Sequence, residues 1–243
     1  MADVGTATLI LALGLAAYAA IASGLGQWRR VPEMVVSGRY ATYTLPLVMG
    51  VSIAALVAAF VTHDFGIRYV AGNSNLALDP WLTWVALYAG NEGSLLFIAF
   101  IFSVLAAVAV WKAPAGVRPA LPHTNVVLML ILLFYVGVML TMANPFFELA
   151  AAPPDGQGIN PLLTHPGMFL HPPVQMAGLI GVGIPFAFAM GHLMAGQPGD
   201  DWVLVARTWG LVVWAVLTGG LLLGSWWAYT ILGWGGYWAW DPV

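Results

Sequence analysis

The chain has 243 residues, of which 61% are hydrophobic and 7% charged, and its mean hydropathy is +0.88. A soluble core does not need so many apolar residues, so this composition predicts an integral membrane protein. The net charge of −3 leaves no basic patch for nucleic acid, and the absence of cysteine excludes disulfides, Cys-ligated metals and thiol chemistry by this chain.

Apolar stretches long enough to cross a bilayer occur six times along the chain. They lie near residues 4–25, 41–62, 93–111, 124–143, 172–195 and 205–224. The pattern predicts an all-α membrane protein, a polytopic helical bundle formed by residues 1–224 with loops between the spans.

Basic residues predict the orientation of this bundle. Alternating topology puts all but Arg68 on one side: Arg29, Arg30, Arg39, Lys112, Arg118 and Arg207. The positive-inside rule then predicts an external N-terminus and an external C-terminal end. The first span has no basic residue before it, so we expect a retained anchor and not a cleaved signal peptide.

Two loops, 63–90 and 144–171, fall on the predicted outer side. Trp81, Trp84 and Tyr88 predict a short interfacial helix in the first loop, before the third span. The second loop is dense in Pro, Gly and Asn, which predicts turns and no pair of strands. Glu92, near the start of the third span, either caps that helix or serves a function within the membrane.

The C-terminal segment, residues 225–243, is crowded with aromatic rings. An aromatic belt at the headgroup level is the simpler interpretation. The density of rings around Gly233, Gly235 and Gly236 instead favours a platform for a large flat apolar ligand such as haem. The predicted haem-binding residues of this platform are Trp226, Trp227, Trp234, Tyr237, Trp238, Trp240 and Asp241.

His171 is the best candidate for a haem-iron ligand. It stands directly before Pro172-Pro173 and an apolar span, so we expect it at a helix cap, facing the same outer water layer as the aromatic platform. Spacing alone leaves open an interfacial histidine with solvated nitrogens. His165, six residues earlier, is expected to be a solvated loop residue.

Residues 234–242, Trp-Gly-Gly-Tyr-Trp-Ala-Trp-Asp-Pro, resemble the WWD signature of haem-handling membrane proteins, and within that superfamily the chain resembles the CcmF/NrfE family. Further stretches match this family in the same order: Val70-Ala-Gly-Asn-Ser-Asn75, Gly90-Asn-Glu-Gly-Ser94, Asn144-Pro-Phe146, Asn160-Pro-Leu-Leu163 and His171-Pro-Pro173. Members of the family are longer, so the resemblance implies an N-terminal fragment whose WWD segment is truncated.

The resemblance implies a role in cytochrome c maturation at the bacterial plasma (inner) membrane. Haem from a carrier chaperone would be held at the outer face and attached covalently to apocytochrome c, together with other maturation subunits of the membrane. His171 would be an axial ligand of the haem iron. Ligands of a b-type haem are expected downstream of this fragment. The fragment alone is not expected to be active as a subunit of a haem lyase. The resemblance does not identify its catalytic residues.

Two alternatives stay open. An ion- or solute-translocating subunit would need ionisable residues within several spans, and the predicted spans hold almost none. The chain could also be a non-catalytic scaffold of a haem-handling complex. The absorbance spectrum of the purified protein would separate this scaffold from a haem site, because a scaffold without haem shows no Soret band.

Overall fold

The structure is a computed structural model that describes residues 1–233 and 236, and over these residues it is almost entirely helical. In chain order the helices are α1 (Ala2–Arg29), α2 (Pro32–Val61), α3 (Arg68–Asn73), α4 (Leu82–Ala86), α5 (Asn91–Trp111), α6 (Leu121–Thr141), α7 (His171–Gly181), α8 (Gly183–Ala195) and α9 (Asp201–Ile231). Six segments are long and apolar enough to span a membrane: α1, α2, α5, α6, Pro166–Ala195 and α9. The predicted all-α bundle of six spans is confirmed.

Two spans differ from the sequence prediction. The fifth is not one helix, because α7 ends at Gly181 and α8 begins at Gly183. Glycine lowers helix stability and Pro185 cannot donate a backbone hydrogen bond, which accounts for a break at this point. The sixth span continues seven residues beyond the predicted end at 224, so Trp226 and Trp227 lie on α9.

The helices pack as a connected bundle. α1 contacts α2 and α6, α5 lies against α2, α6 and α7, and α9 packs mainly on α7 and α8. Glycine brings α7 and α9 close together: a Cβ at Gly220 would lie 2.6 Å from the Cα of Gln175, and one at Gly178 2.5 Å from the Cα of Leu217. Small residues at such a crossing let the backbones approach, which favours helix association in a bilayer.

A buried polar network joins three spans. The Asn125 amide donates to the Ser23 hydroxyl (2.9 Å), and its carbonyl oxygen accepts from the Thr42 hydroxyl (2.9 Å). These side chains are fully buried on α6, α1 and α2. Polar groups in an apolar environment need partners, so the network stabilises the contact of these helices.

Contacts between loops define the two ends of the bundle. The N-terminal ammonium lies 3.8 Å from Asp64, and the Arg68 amide donates to the Phe147 carbonyl (2.9 Å). The loop end therefore holds the N-terminus, the loops 63–90 and 144–171 and the last turn of α9. The opposite end, here the arginine end, carries the short connections with Arg29, Arg30, Arg39, Lys112, Arg118 and Arg207.

Candidate functional site

His171 lies at the loop end, on the first turn of α7. The helix begins at His171 itself with Leu170 as its cap. The expectation that His171 is the cap was thus wrong by one residue. Pro172 and Pro173 occupy the first turn, where a missing N–H leaves no hydrogen bond unmade. The imidazole is half-buried, and it lies in the crossing between α7 and α9, where it contacts α9.

Three groups of α9 surround the imidazole of His171. Its Nδ1 lies 2.9 Å from the carbonyl oxygen of Gly220. The Trp227 indole stacks on it, with ring centroids 6.2 Å apart and 12° between the planes. Gly224 leaves room for the ring, since a Cβ there would lie 2.8 Å from Nδ1 and 3.1 Å from Nε2.

The hydrogen bond to Gly220 determines the tautomer of His171. A carbonyl oxygen can only accept, so Nδ1 carries the proton and donates it to Gly220. In the neutral ring Nε2 then keeps its lone pair, and no group of residues 1–233 and 236 makes a hydrogen bond to it, so this nitrogen can bind a metal. This arrangement, one ring nitrogen tied to a carbonyl and the other available, is the one that metal-ligating histidines adopt.

His165 takes the opposite tautomer. Its Nδ1 accepts from the backbone N–H of Gly167 (3.0 Å), and Nε2 lies 3.3 Å from the Thr230 hydroxyl. Because Nδ1 accepts, the neutral ring carries its proton on Nε2, which donates to Thr230. The ring also packs edge-on against Trp226, with centroids 4.8 Å apart. The expectation of a solvated loop histidine was therefore wrong.

The first two tryptophans of the predicted platform lie on the last turns of α9. Trp227 is half-buried, and its indole N–H donates to the Leu162 carbonyl (3.1 Å). Trp226 is 44% exposed and contacts His165. The other predicted members lie outside the described residues: Trp234, Tyr237, Trp238, Trp240 and Asp241.

The loop that precedes His171 is held by the loop 63–90. The Tyr88 hydroxyl donates to the Met168 carbonyl (2.9 Å), and Trp81 stacks on Phe169 with centroids 5.4 Å apart. A short helix, α4, occurs where the aromatic residues predicted one. These contacts fix the segment that leads into His171.

The Asn73-Ser-Asn75 stretch, for which the sequence offered no chemical role, is structural. Asn73 ends α3, a helix that the sequence did not predict, and its amide donates to the Tyr69 carbonyl (2.9 Å). The buried Ser74 hydroxyl donates to Val70 (2.8 Å), and the Ser74 carbonyl accepts from Gly158 (3.1 Å). The stretch thereby ties the loop 144–171 to α3.

Gly93 and Tyr69 form a tight junction at the start of α5. The Gly90 amide donates to the Tyr69 hydroxyl (3.0 Å), which donates in turn to the Leu87 carbonyl (3.2 Å). A Cβ at Gly93 would collide with both the Leu87 carbonyl and this hydroxyl. Burial raises the pKa of the Tyr69 phenol above its usual value, so the group stays neutral and keeps its proton to donate.

Glu92 lies in the first turn of α5, 3.6 Å from the guanidinium of Arg68, which lies over the Phe147 ring at 4.7 Å. The carboxylate thus meets both the helix N-terminus and a cation, which supports the capping interpretation. The sequence did not predict this partner, because Arg68 lies 24 residues earlier on α3.

Four residues that hold the two histidines and Trp227 in place were not predicted from the sequence: Gly220, Gly224, Leu162 and Thr230. Gly220 and Gly224 are four residues apart, a spacing that signals close helix approach within the membrane. Leu162 belongs to the family stretch Asn160-Pro-Leu-Leu163, but no sequence signal identifies its contact with Trp227 or the role of Thr230, because both depend on distant partners.

The fold and site define a polytopic α-helical membrane protein. At one end, two histidines in opposite tautomers pack against tryptophans. Residues 88–243 match the family described as cytochrome C assembly protein, and the chain belongs to that family. This confirms the resemblance inferred from the motifs.

Individual relatives extend the similarity over the whole chain. The chain is 37% identical to the cytochrome c-type biogenesis protein CcmF of Pseudomonas aeruginosa, over 99% of this chain and 37% of that protein. It is 37% identical to CcmF of Escherichia coli, over 100% of this chain and 38% of the relative. NrfE of Haemophilus influenzae is 33% identical over 99% of this chain and 38% of its own length.

A solved structure, that of the cytochrome c heme lyase CcmF, superimposes with a TM-score of 0.84 at 30% identity, covering 99% of this chain and 38% of that one. The chain thus spans a little over a third of the length of the relatives it matches.

Proposed function

We propose that the protein takes part in cytochrome c maturation by holding haem at the outer face of the bacterial inner membrane for covalent attachment to apocytochrome c. The observation that carries the proposal is the hydrogen bond from His171 Nδ1 to Gly220, which leaves Nε2 available as an axial ligand. Membership in the cytochrome C assembly family and similarity to CcmF support the reaction class.

The donor set fits haem. Neutral imidazole is a common axial ligand of haem iron, and the Gly220 carbonyl holds the ring in one tautomer and orientation by accepting the hydrogen bond from its Nδ1–H. His165 offers no free nitrogen, because its Nδ1 accepts from Gly167 and its protonated Nε2 faces Thr230. We therefore assign iron ligation to His171 and a positioning role to His165.

The tryptophans supply a surface for the flat macrocycle. Trp227 is already stacked on His171, and Trp226, the preceding residue on α9, is 44% exposed. In the proposed arrangement the rest of the platform consists of Trp234, Tyr237, Trp238 and Trp240, with Asp241 orienting the segment through an indole N–H.

The proposed reaction is the addition of a thiol across a vinyl group of haem. The sulfur–carbon bond forms at one vinyl carbon, and the thiol proton ends on the other, so atoms balance without an oxidant. In the proposed reaction the sulfur comes from the apocytochrome, and these 243 residues contain no cysteine of their own. The chain's own residues contribute orientation, which can supply several orders of magnitude in effective concentration.

The proposal includes partners and location. A haem-carrier chaperone would deliver haem and other maturation subunits of the membrane would complete the complex, with the loop end external. The positive-inside rule supports this orientation, since six of the seven basic residues lie at the arginine end.

The experiment compares His171→Ala with His165→Ala in the complete gene product at matched expression. His171→Ala should lose the Soret band of the purified protein and most of the cytochrome c maturation yield, because the iron loses its ligand. His165→Ala should retain most of both. Added imidazole should partly restore His171→Ala by occupying the vacated position. Wild-type absorbance and yield in His171→Ala would reject the assignment, and a wild-type protein without any Soret band would favour the scaffold alternative.

A further inference from the structure

A cavity of about 440 Å³ opens at the arginine end, far from the site around His171. It lies between the last turn of α1, the first turns of α2 and the turn that leads into α6. Its polar lining consists of Arg30, Arg39, Arg118, Gln27 and Gln197. The apolar part of the wall includes Val35, Val36 and Leu121.

The three guanidinium groups of this cavity have no ion-pair partner among the described residues. Over residues 1–233 and 236, Arg30, Arg39 and Arg118 form no ion pair with a carboxylate, and no Asp or Glu lines the cavity. Arg39 is half-buried, so solvent screens its charge less than that of an exposed side chain. Like charges gathered at one cavity repel one another, and a bound anion would relieve this repulsion.

The cavity lies at the ends of three predicted membrane spans, where the headgroups of a bilayer would be. Its walls are formed by the end of α1 and the beginnings of α2 and α6, which are the ends of three membrane spans. Trp28 and Tyr40, 76% and 66% exposed, lie on the adjoining turns of α1 and α2. Amphipathic rings at helix ends are typical of the interface between hydrocarbon and water.

We propose that this cavity binds the phosphate group of an anionic phospholipid, such as phosphatidylglycerol or cardiolipin. The guanidinium fork matches two phosphate oxygens at once, and basic pockets between membrane helices are suited to such headgroups. The apolar wall and the position at a span boundary favour a lipid over free phosphate, because the glycerol and acyl chains can follow the helices into the bilayer. The proposal is independent of the haem function.

The test uses two triple variants of the complete gene product that remove the same charge from the same end. The cavity variant is Arg30→Gln, Arg39→Gln and Arg118→Gln. The control is Arg29→Gln, Lys112→Gln and Arg207→Gln, three positions that do not line the cavity. Each protein is titrated in detergent with dioleoylphosphatidylglycerol or dioleoylphosphatidylcholine, and lipid adducts are counted by native mass spectrometry.

We expect the wild type to prefer phosphatidylglycerol and the cavity variant to lose on the order of 100-fold in affinity for it, from about fivefold per arginine. The control should stay within a few-fold of wild type. Should the cavity variant fail to purify as a single species, Arg118→Gln alone should lose about fivefold, against no loss for Lys112→Gln.

Three results would overturn the proposal. Equal losses in the two triple variants would mean that the charge of the whole face, and not the cavity, attracts lipid. Equal binding of both lipids by the wild type would remove the anion preference. Inorganic phosphate that displaces phosphatidylglycerol at equal concentration would identify a soluble anion as the ligand.

Discussion

Replacing Gly224 by alanine tests whether the orientation of His171 matters for haem binding. The new Cβ would lie 2.8 Å from Nδ1 and 3.1 Å from Nε2 of the imidazole, whereas carbon contacts are relaxed only at about 3.5–4.0 Å. The ring must therefore move by about 1 Å, which breaks the 2.9 Å bond to Gly220. Loss of that bond costs about 0.5–1.5 kcal/mol of stability.

The fold itself should survive the substitution. Alanine within a helix is about 1 kcal/mol more favourable than glycine, which offsets most of the lost hydrogen bond. Haem affinity should fall by about 10- to 100-fold, the usual effect of removing the group that orients a metal-ligating histidine. This corresponds to about 1.4–2.8 kcal/mol of binding free energy.

Gly219→Ala is the matched control. It is the same substitution on the same helix, and a Cβ at Gly219 meets nothing within 4 Å. Haem is titrated into both purified variants and followed by Soret absorbance, with cytochrome c maturation yield as a second measurement. Equal haem affinities for the two variants would refute the claim that the Gly220 hydrogen bond prepares His171 as a ligand.

Asn125→Leu should lower the stability of the detergent-solubilised protein by about 1 kcal/mol, because Ser23 loses its partner, and an unchanged unfolding midpoint would contradict this. Joint replacement of three platform rings by alanine should cost about 1–3 kcal/mol of haem binding per ring at normal protein levels, while undiminished haem retention would reject the platform. The replaced rings are Trp234, Trp238 and Trp240. Reporter fusions should read as cytoplasmic at the arginine end and external at the loop end, and the inverse pattern would reject the outer haem site. The fusion positions are Val31, Gly116 and Gln197 for the former, and Asn75 and Gln157 for the latter.

The membrane spans were predictable because a bilayer imposes a length and a composition on every crossing. α6 was expected near 124–143 and occurs at Leu121–Thr141. The break between α7 and α8 was missed, since the hydropathy of 172–195 is continuous and the pair Gly181 and Gly183 does not lower it. The last seven residues of α9 were also not predicted to be helical. Aromatic residues and glycines are typical of a loop, yet the helix continues to Ile231.

The site was predicted in its residue types but not in its chemistry. His171-Pro-Pro173 pointed to a helix start and to a possible ligand, and this needed only local information. The sequence ranked His171 above His165 by its place before an apolar span and by the family motif, but it could not give their tautomers, because both histidines simply precede prolines at the loop end. Their difference arises from partners elsewhere in the chain: the Gly220 carbonyl accepts from one ring, while Gly167 donates to the other.

By itself the sequence determined the class of protein, the number and order of the spans, the distribution of charge between the two ends and the family. These properties depend on hydropathy, charge and short motifs, each read over at most a few tens of residues. Only the tertiary structure decided which nitrogen of His171 keeps its lone pair. That outcome depends on a helix crossing in which Gly220 and Gly224 let α9 approach α7. The hydrogen bond at this crossing joins His171 and Gly220, which are 49 residues apart in the chain. A histidine's tautomer is set by the hydrogen-bonding group that its neighbours present, and here that neighbour belongs to another helix.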